Sequence, residues 1–445
     1  MIQLITLLFL AAVGSANTPA AVWNNIVGRA EPANFTADPT LGPGGDVFKD
    51  SSHFRLYGTL EEATANDTLN MMEAAYDCFV TDLGWRSTGS SVNISAGQDA
   101  LGPFTKTNIY SVDDLGPGIA GQFNTTDSKG MAWFSVVNRK DVLTDPVITI
   151  SIYAFAMMYH ERSWMNNLNS GGWWKVLGGW AADASSVSDL CAPARTKHGV
   201  EGNITYIELQ KVLGDSHQVI VDGTRNTTNV YDAWPFFTYL TNNLDNFEGL
   251  GKNTIRELMR QYEPNSHETP LHTLSRISTC ATVGELVGKY WARMAYWDIG
   301  HAPGLEVLFN WRHLANYTNV DLVTEGEYKV IAARQPRYMG ANIIPLNVTG
   351  AQTVDVEVTG SMKFTATLVV RNMKSGVVTY TELENGAGWA DVVVGDEASL
   401  VVANTPETLI MYKPYALSPE VSKGLDYSFT ICGATVLNGY PSPEM

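Results

Sequence analysis

Val354-Asp355-Val356-Glu357-Val358 places apolar and acidic side chains on opposite faces of an extended backbone. The same period of two returns in Phe364-Thr365-Ala366-Thr367-Leu368-Val369-Val370, Ala390-Asp391-Val392-Val393-Val394, Leu400-Val401-Val402 and Thr408-Leu409-Ile410-Met411-Tyr412. Short strands of this kind, separated by Gly, Asn and Asp turns and followed by a last one at Tyr427 to Val436, predict a β-sandwich from about residue 326 onward.

Upstream the period changes. Thr254-x-x-Glu257 precedes Leu258, Met259 and Tyr262, and Thr282-x-x-Glu285 precedes Leu286, Val287, Tyr290 and Met294, so two capping boxes open two expected helices. Asp232-Ala233-Trp234-Pro235 starts a third, with Asp232 read as the N-cap and Pro235 in the first turn, where a missing amide proton costs nothing. Nearer the N-terminus, His53 to Tyr57 suits a short strand, and Leu69, Met72, Tyr76, Phe79, Val80 and Leu83 recur at three and four up to Gly84. Asn108 to Val112 and Met131 to Val137 read as further strands. The fold class expected is α+β: a mixed α/β and helical domain over residues 51–325, then an all-β sandwich domain over 326–445. Trp297, Trp311, Tyr317 and Tyr338 gather near that boundary, where aromatics would seal a junction.

With 445 residues, one hydrophobic core is not expected, since cores rarely grow beyond roughly 250–300 residues. Hydrophobic residues make up 45% and charged residues 17%, which argues for a globular chain and against disorder. Twenty-nine Lys and Arg against 46 Asp and Glu give a formal charge of −17, which repels polyphosphate and excludes nucleic acid as an expected partner.

Residues 2–13, IQLITLLFLAAV, are too short to span a bilayer and precede Gly14-Ser15-Ala16, the pattern of a secretory signal peptide over residues 1–16. An irregular leader rich in Pro, Gly and Asn is expected over 17–50. Eight Asn-x-Ser/Thr sequons, at Asn34, Asn66, Asn93, Asn124, Asn203, Asn226, Asn316 and Asn347, suit a secreted, extracellular glycoprotein without a membrane span. Four cysteines, Cys78, Cys191, Cys280 and Cys432, lack any Cys-x-x-Cys pair and are candidates for disulfides, with three pairings open.

The chemistry-bearing stretch is 159–185, YHERSWMNNLNSGGWWKVLGGWAADAS. A His-Glu-x-x-His helix sets two imidazoles one turn apart on a zinc ion, with the Glu between them to take a proton from the bound water. Here His160 and Glu161 are followed by Trp164, whose indole offers no lone pair to a metal, although His160, Glu161 and Trp164 are expected on one helix face. Glu161 and Asp183 form a pair of carboxylates among Trp164, Trp173, Trp174 and Trp180, an arrangement that also suits a glycan-binding or glycan-hydrolysing cleft. Asp298, His301 and His313 form a second polar group near Trp297 and Trp311. The sequence holds no Gly-x-Ser-x-Gly elbow and no phosphate-binding Gly-x-x-x-x-Gly-Lys loop.

From about His53 to Val436 the chain resembles DUF6055, a family of secreted bacterial and fungal proteins with a gluzincin-like N-terminal region. The carriers are Ser51-Ser52-His53-Phe54, the His160-Glu161 helix, Gly172-Trp173-Trp174, Tyr231-Asp232-Ala233-Trp234-Pro235-Phe236, Gly249-Leu250-Gly251-Lys252, Ala292-Arg293-Met294-Ala295-Tyr296-Trp297-Asp298 and Ala341-Asn342-Ile343-Ile344-Pro345-Leu346. The resemblance implies that an intact zinc member would carry His at the place of Trp164 and an acid at the place of Lys175 or near Asp183. With the second His and the third ligand replaced, zinc peptidase activity and a metal cofactor are not expected. The function expected is a non-catalytic binding or structural role outside the cell, with an extracellular glycan or protein as partner. The alternative is a hydrolase acting on glycans through Glu161 and Asp183.

Overall fold

The computed structural model describes residues 35–94, 102–162, 164, 169–202, 205–225, 227 and 229–442. The expected signal peptide, most of the leader and the sequons Asn34, Asn203 and Asn226 lie outside the described residues. The chain divides into two compact units, Met1–Tyr206 with Ile255–Ser266 and Ile207–Thr254 with His267–Met445. The division therefore falls near Tyr206, not near residue 325.

The first unit is built on a five-stranded sheet of β1 (Phe48–Asp50), β2 (Phe54–Tyr57), β3 (Thr107–Val112), β4 (Gly121–Thr126) and β5 (Met131–Val137). Its order is β1-β2-β3-β5-β4, with β2, β3 and β5 parallel and both edge pairs antiparallel. The helix Glu62–Tyr76 runs on into a π-helical turn, Asp77–Asp82, and stops at Gly84, whose φ of +68° suits glycine. Cys78, in that turn, is bonded to Cys191, whereas Cys280 and Cys432 of the second unit are exposed free thiols. One of the three open pairings is thus made for half of the cysteines only.

The helix Pro146–Glu161 opens with Pro at its first position and with Asp145 accepting from the Val147 N–H at 2.9 Å. It is apolar nearly all round, because the sheet lies on one side and the helix Trp173–Val187 on the other. Gly178 permits the close helix pairing: a Cβ there would sit 3.3 Å from Phe155, and the Ser151 hydroxyl donates to the Gly178 carbonyl at 3.0 Å.

In the second unit two antiparallel sheets face each other. Their strands are β6 (Val320–Thr324), β7 (Glu327–Val330), β8 (Ala341–Asn347), β9 (Gln352–Gly360), β10 (Phe364–Arg371), β11 (Val378–Glu382), β12 (Ala387–Val392), β13 (Glu397–Asn404), β14 (Tyr427–Cys432) and β15 (Thr435–Val436). One sheet has the order β11-β10-β13-β8-β15 and the other β12-β9-β14-β7-β6. Val354, Val356 and Val358 of β9 enter a common core with Leu368, Val370, Leu400, Val402, Phe429 and Ile431, while Asp355 and Glu357 face water. β8 and β13 are buried on both faces because the helix Val283–Met294 packs on the outside of their sheet. The residues 408–412 form no strand: Ile410 gives its N–H to the Tyr338 hydroxyl and the Tyr412 hydroxyl reaches the Val221 carbonyl, so side chains take the place of a ladder.

The helices Pro235–Asn242, Pro270–Ile277, Val283–Met294 and Ala302–Trp311 belong to the same unit as the sandwich. Trp291 donates its indole N–H to the Met339 carbonyl at 2.9 Å, and Arg312 forms an ion pair with Glu397 of β13. Trp297, Tyr317 and Tyr338 are buried there and Trp311 is exposed. This packing explains why no boundary falls at residue 325. The Thr282 capping box is formed with Glu285, but Thr254 uses its hydroxyl to accept from the Gly251 N–H, and Glu257 is taken by Arg256. Among the described residues, no helix is long and apolar enough to cross a membrane.

Candidate functional site

The helix that carries His160 and Glu161 ends at Glu161. Arg162 turns left-handed, with φ of +57° and its N–H on the Tyr159 carbonyl at 3.0 Å, and Trp164 is also left-handed at +60°. Trp164 therefore does not share a helix face with His160 and Glu161, which corrects that expectation. The i, i+4 geometry of a zinc helix is missing in backbone as well as in side-chain type.

His160 is fully buried. Its Nδ1–H donates to the Ser90 carbonyl at 2.8 Å, and its Nε2 has no hydrogen-bond partner. Burial, assisted by the nearby Arg86, pulls its pKa down to about 3, so the ring is neutral. Glu161 is held on both oxygens. Arg260 donates from Nε to Oε2 at 3.0 Å and from Nη2 to Oε1 at 3.1 Å, and the Arg86 backbone N–H reaches Oε1 at 2.5 Å. Arg86 itself donates Nη1 to the His160 carbonyl at 3.0 Å and Nη2 to the Ser91 carbonyl at 2.7 Å. Arg260 also reaches the Gly84 carbonyl, and Arg256 the Leu83 carbonyl, so the helix Thr254–Arg260 brings a guanidinium clamp to the end of the His160-Glu161 helix.

Asp183, on the helix Trp173–Val187, is buried and accepts from the Thr205 hydroxyl at 2.6 Å. Trp164, Trp173 and Trp180 are each about 1% exposed. Trp180 stacks at 6.1 Å on Trp85 and packs at 5.8 Å on Phe79, which places it in the core. Trp174 is half-buried and donates its indole N–H to the Trp164 carbonyl at 2.9 Å, beside the Ser170 hydroxyl on the same oxygen. Lys175 is half-buried, and burial pulls its pKa down to about 8.

These residues do not fit the zinc ion that a gluzincin-like reading implies. The His160 Nε2 lone pair is one donor, but the Glu161 carboxylate is paired with the Arg260 guanidinium and also accepts from the Arg86 amide. No group of three His, Cys, Asp or Glu able to hold a metal ion occurs among the described residues.

Other quoted motifs also have structural work. His53 gives its N–H to Glu73 at 2.8 Å, meets the same carboxylate through Nδ1 at 2.6 Å and stacks on Tyr76 at 3.8 Å. Arg293 grips Asp245 through two nitrogens, at 2.7 and 3.0 Å, and meets Asp298 at 2.6 Å, where the Tyr380 hydroxyl of β11 also lands. His301 caps the helix Ala302–Trp311 by accepting from the Gly304 N–H at 2.9 Å. Of the sequon asparagines, Asn66, Asn93, Asn316 and Asn347 are exposed and Asn124 is half-buried. Asp232, read from the sequence as a helix cap, ends the short helix Asn229–Asp232 and opens into a pocket instead, because the next helix begins only at Pro235.

Residues 201–399 match the model of DUF6055, a family of unknown function. The matched stretch contains Asp232, Arg293 and most of the sandwich, and leaves out His160, Glu161 and Asp183. Comparison with curated proteins and with solved structures gave no match.

Proposed function

We propose that this chain is an extracellular glycoprotein with a non-catalytic binding or structural role, and that the His160-Glu161 helix end is a structural clamp. The observation that supports the reading is the environment of Glu161. A general base must offer a lone pair to a water or a substrate proton, yet both Glu161 oxygens accept charge-assisted hydrogen bonds from Arg260 and one also from the Arg86 amide. A glycan hydrolase would in addition need its aromatic platform open to the ligand, whereas three of the four tryptophans are core residues. The disulfide Cys78–Cys191 and the exposed asparagines Asn66, Asn93, Asn316 and Asn347 are compatible with an oxidising, glycosylating route to the outside. The test is a pair of measurements on Glu161→Gln. Peptide and polysaccharide hydrolysis should be at background in both the parent chain and the variant, while the variant should unfold at lower urea. Hydrolysis by the parent that the variant loses would overturn the reading.

A further inference from the structure

The second unit holds a half-open hollow of about 240 Å³, counted out to solvent, whose walls include Lys211, Asn229, Asp232, Tyr290 and Trp291. Its floor admits about one water-sized group. Asp232 is half-buried in it. Its neighbours are already engaged: Lys211 donates to Asp215 at 3.1 Å, and the Asn229 side-chain oxygen accepts from the Asp222 N–H at 2.8 Å. Neither donates to Asp232, and no hydrogen bond or ion pair to its carboxylate occurs among the described residues. A carboxylate held in a hollow without a donor is an unfinished ion pair.

We propose that Asp232 anchors a binding pocket for a primary ammonium group, with the carboxylate as counter-ion and Tyr290 and Trp291 as aromatic walls. Three features select this ligand class. The floor of the hollow admits one group about the size of a water molecule, which an ammonium head matches. Two aromatic side chains, Tyr290 and Trp291, are part of its lining, and aromatic faces attract a cation and repel an anion. A divalent metal would need several oxygen ligands, and among the described residues no such group of acids gathers here.

Electrostatics agrees with the geometry. Burial, then the charge of Glu208, pushes Asp232 up to about 7, with Asp215 acting in the same direction and Lys211 opposing. Tyr290, facing the hollow from the helix Val283–Met294, is buried and its hydroxyl stays protonated. The site thus disfavours a bare negative charge and favours a cation that neutralises it. Ammonium binding should expel the proton, so affinity should rise with pH through about 7. The inference is independent of the clamp reading of Glu161, and the failure of either leaves the other standing.

The experiment is calorimetric titration of the full chain with n-butylammonium chloride, with sodium butyrate and calcium chloride as controls. Binding should be about thirtyfold tighter at pH 8 than at pH 5.5, following the ionised fraction of a group near pH 7. At pH 7 about half a proton should leave per ligand bound, read from the dependence of the heat on the buffer. Asp232→Asn should abolish binding without lowering the melting temperature. Binding that survives Asp232→Asn, binding without proton release, tighter binding of calcium or butyrate, or no binding of butylammonium would each overturn the proposal. Proton release is measured on the parent chain, so the test stands even if the variant fails to fold.

Discussion

Glu161 and Asp232 are both carboxylates drawn out of bulk water, and they differ in what surrounds them. Glu161 lies at the end of an apolar helix with Arg260 bidentate on it and the Arg86 amide behind. Asp232 lies at the end of a four-residue helix, beside a lysine already given to another acid. The first has its charge paired within the fold, with three hydrogen bonds on its two oxygens. The second is left uncompensated, and burial moves its pKa into the neutral range. A motif such as His-Glu directs attention to residue type, but the saturation of its hydrogen bonds decides whether that type can act.

The largest effect expected from this contrast is on stability. Glu161→Ala would leave Arg260 without its carboxylate at a site where the Glu161 side chain is 3% exposed. Breaking a buried pair by removing one partner costs roughly 3–5 kcal/mol. The loss should be seen in urea unfolding, and hydrogen exchange should speed up in residues 255–266, which belong to the first unit through this contact and those of Arg256. A change below about 1 kcal/mol would show that Glu161 is not the clamp.

Acidification should then pull the two units in opposite directions. His160 has a folded pKa of about 3 against an ordinary value of 6.5, so its unfolded state binds the proton first, and the first unit loses stability as pH falls below about 6.5. Asp232 has a folded pKa of about 7 against 3.8, so its folded state binds the proton first, and the second unit gains stability as pH falls through 7 toward 4. Between pH 7.5 and 4.5 each contribution is about 3 kcal/mol, as an upper figure for Asp232 because the carboxylate is partly wetted. Amide exchange followed separately in the two units, with His160→Gln and Asp232→Asn as references, isolates each slope. At pH 8 Asp232→Asn should stabilise its unit. A destabilised variant would mean that Asp232 has a partner in the fold.

Sequence periodicity made the sandwich legible because β9 and its neighbours each have one wet face, so that Val354 to Val358 alternates cleanly. β8 was harder to see. Its residues Ala341 to Leu346 are covered on both sides, and a continuous apolar run does not reveal a strand. The domain boundary was misplaced for a related reason, since the helices before residue 320 bury their apolar stripes against the sandwich and the change of period is not a change of body. His160 and Glu161 were singled out by a local motif. Their true partners were not, because Arg86 and Arg260 lie 75 and 99 residues from Glu161 and no local pattern marks them. The sequence showed Asp232 as a helix cap from a local pattern of acid, two residues and proline. Its role in a pocket depends on Lys211, Tyr290 and Trp291, which only the fold assembles.

A smaller test separates charge from geometry in the clamp. Arg260→Lys keeps a cation near Glu161 but cannot make two parallel N–H···O bonds and also reach the Gly84 carbonyl at 2.9 Å. The loss should be roughly 1–2 kcal/mol, less than for Glu161→Ala, because the carboxylate stays paired. Equal losses for the two substitutions in parallel urea titrations would mean that geometry alone holds the segment.

The smallest effect concerns Asp183, the other carboxylate singled out by the sequence. It is buried on the helix Trp173–Val187, and its Oδ1 accepts from the Thr205 hydroxyl at 2.6 Å. If Asp183 is a structural acceptor like Glu161, then Thr205→Val removes one donor and keeps the side-chain shape, at a cost of about 1 kcal/mol. Asp183→Asn weakens the same bond from the other end. The double variant should cost less than the two single losses added together, by a coupling near 1 kcal/mol, because each substitution removes the same contact. Additive losses in such a cycle would mean that the hydroxyl and the carboxylate do not depend on each other. Asp183 would then resemble Asp232 more than Glu161, and it would become the first residue of its unit to test for a ligand.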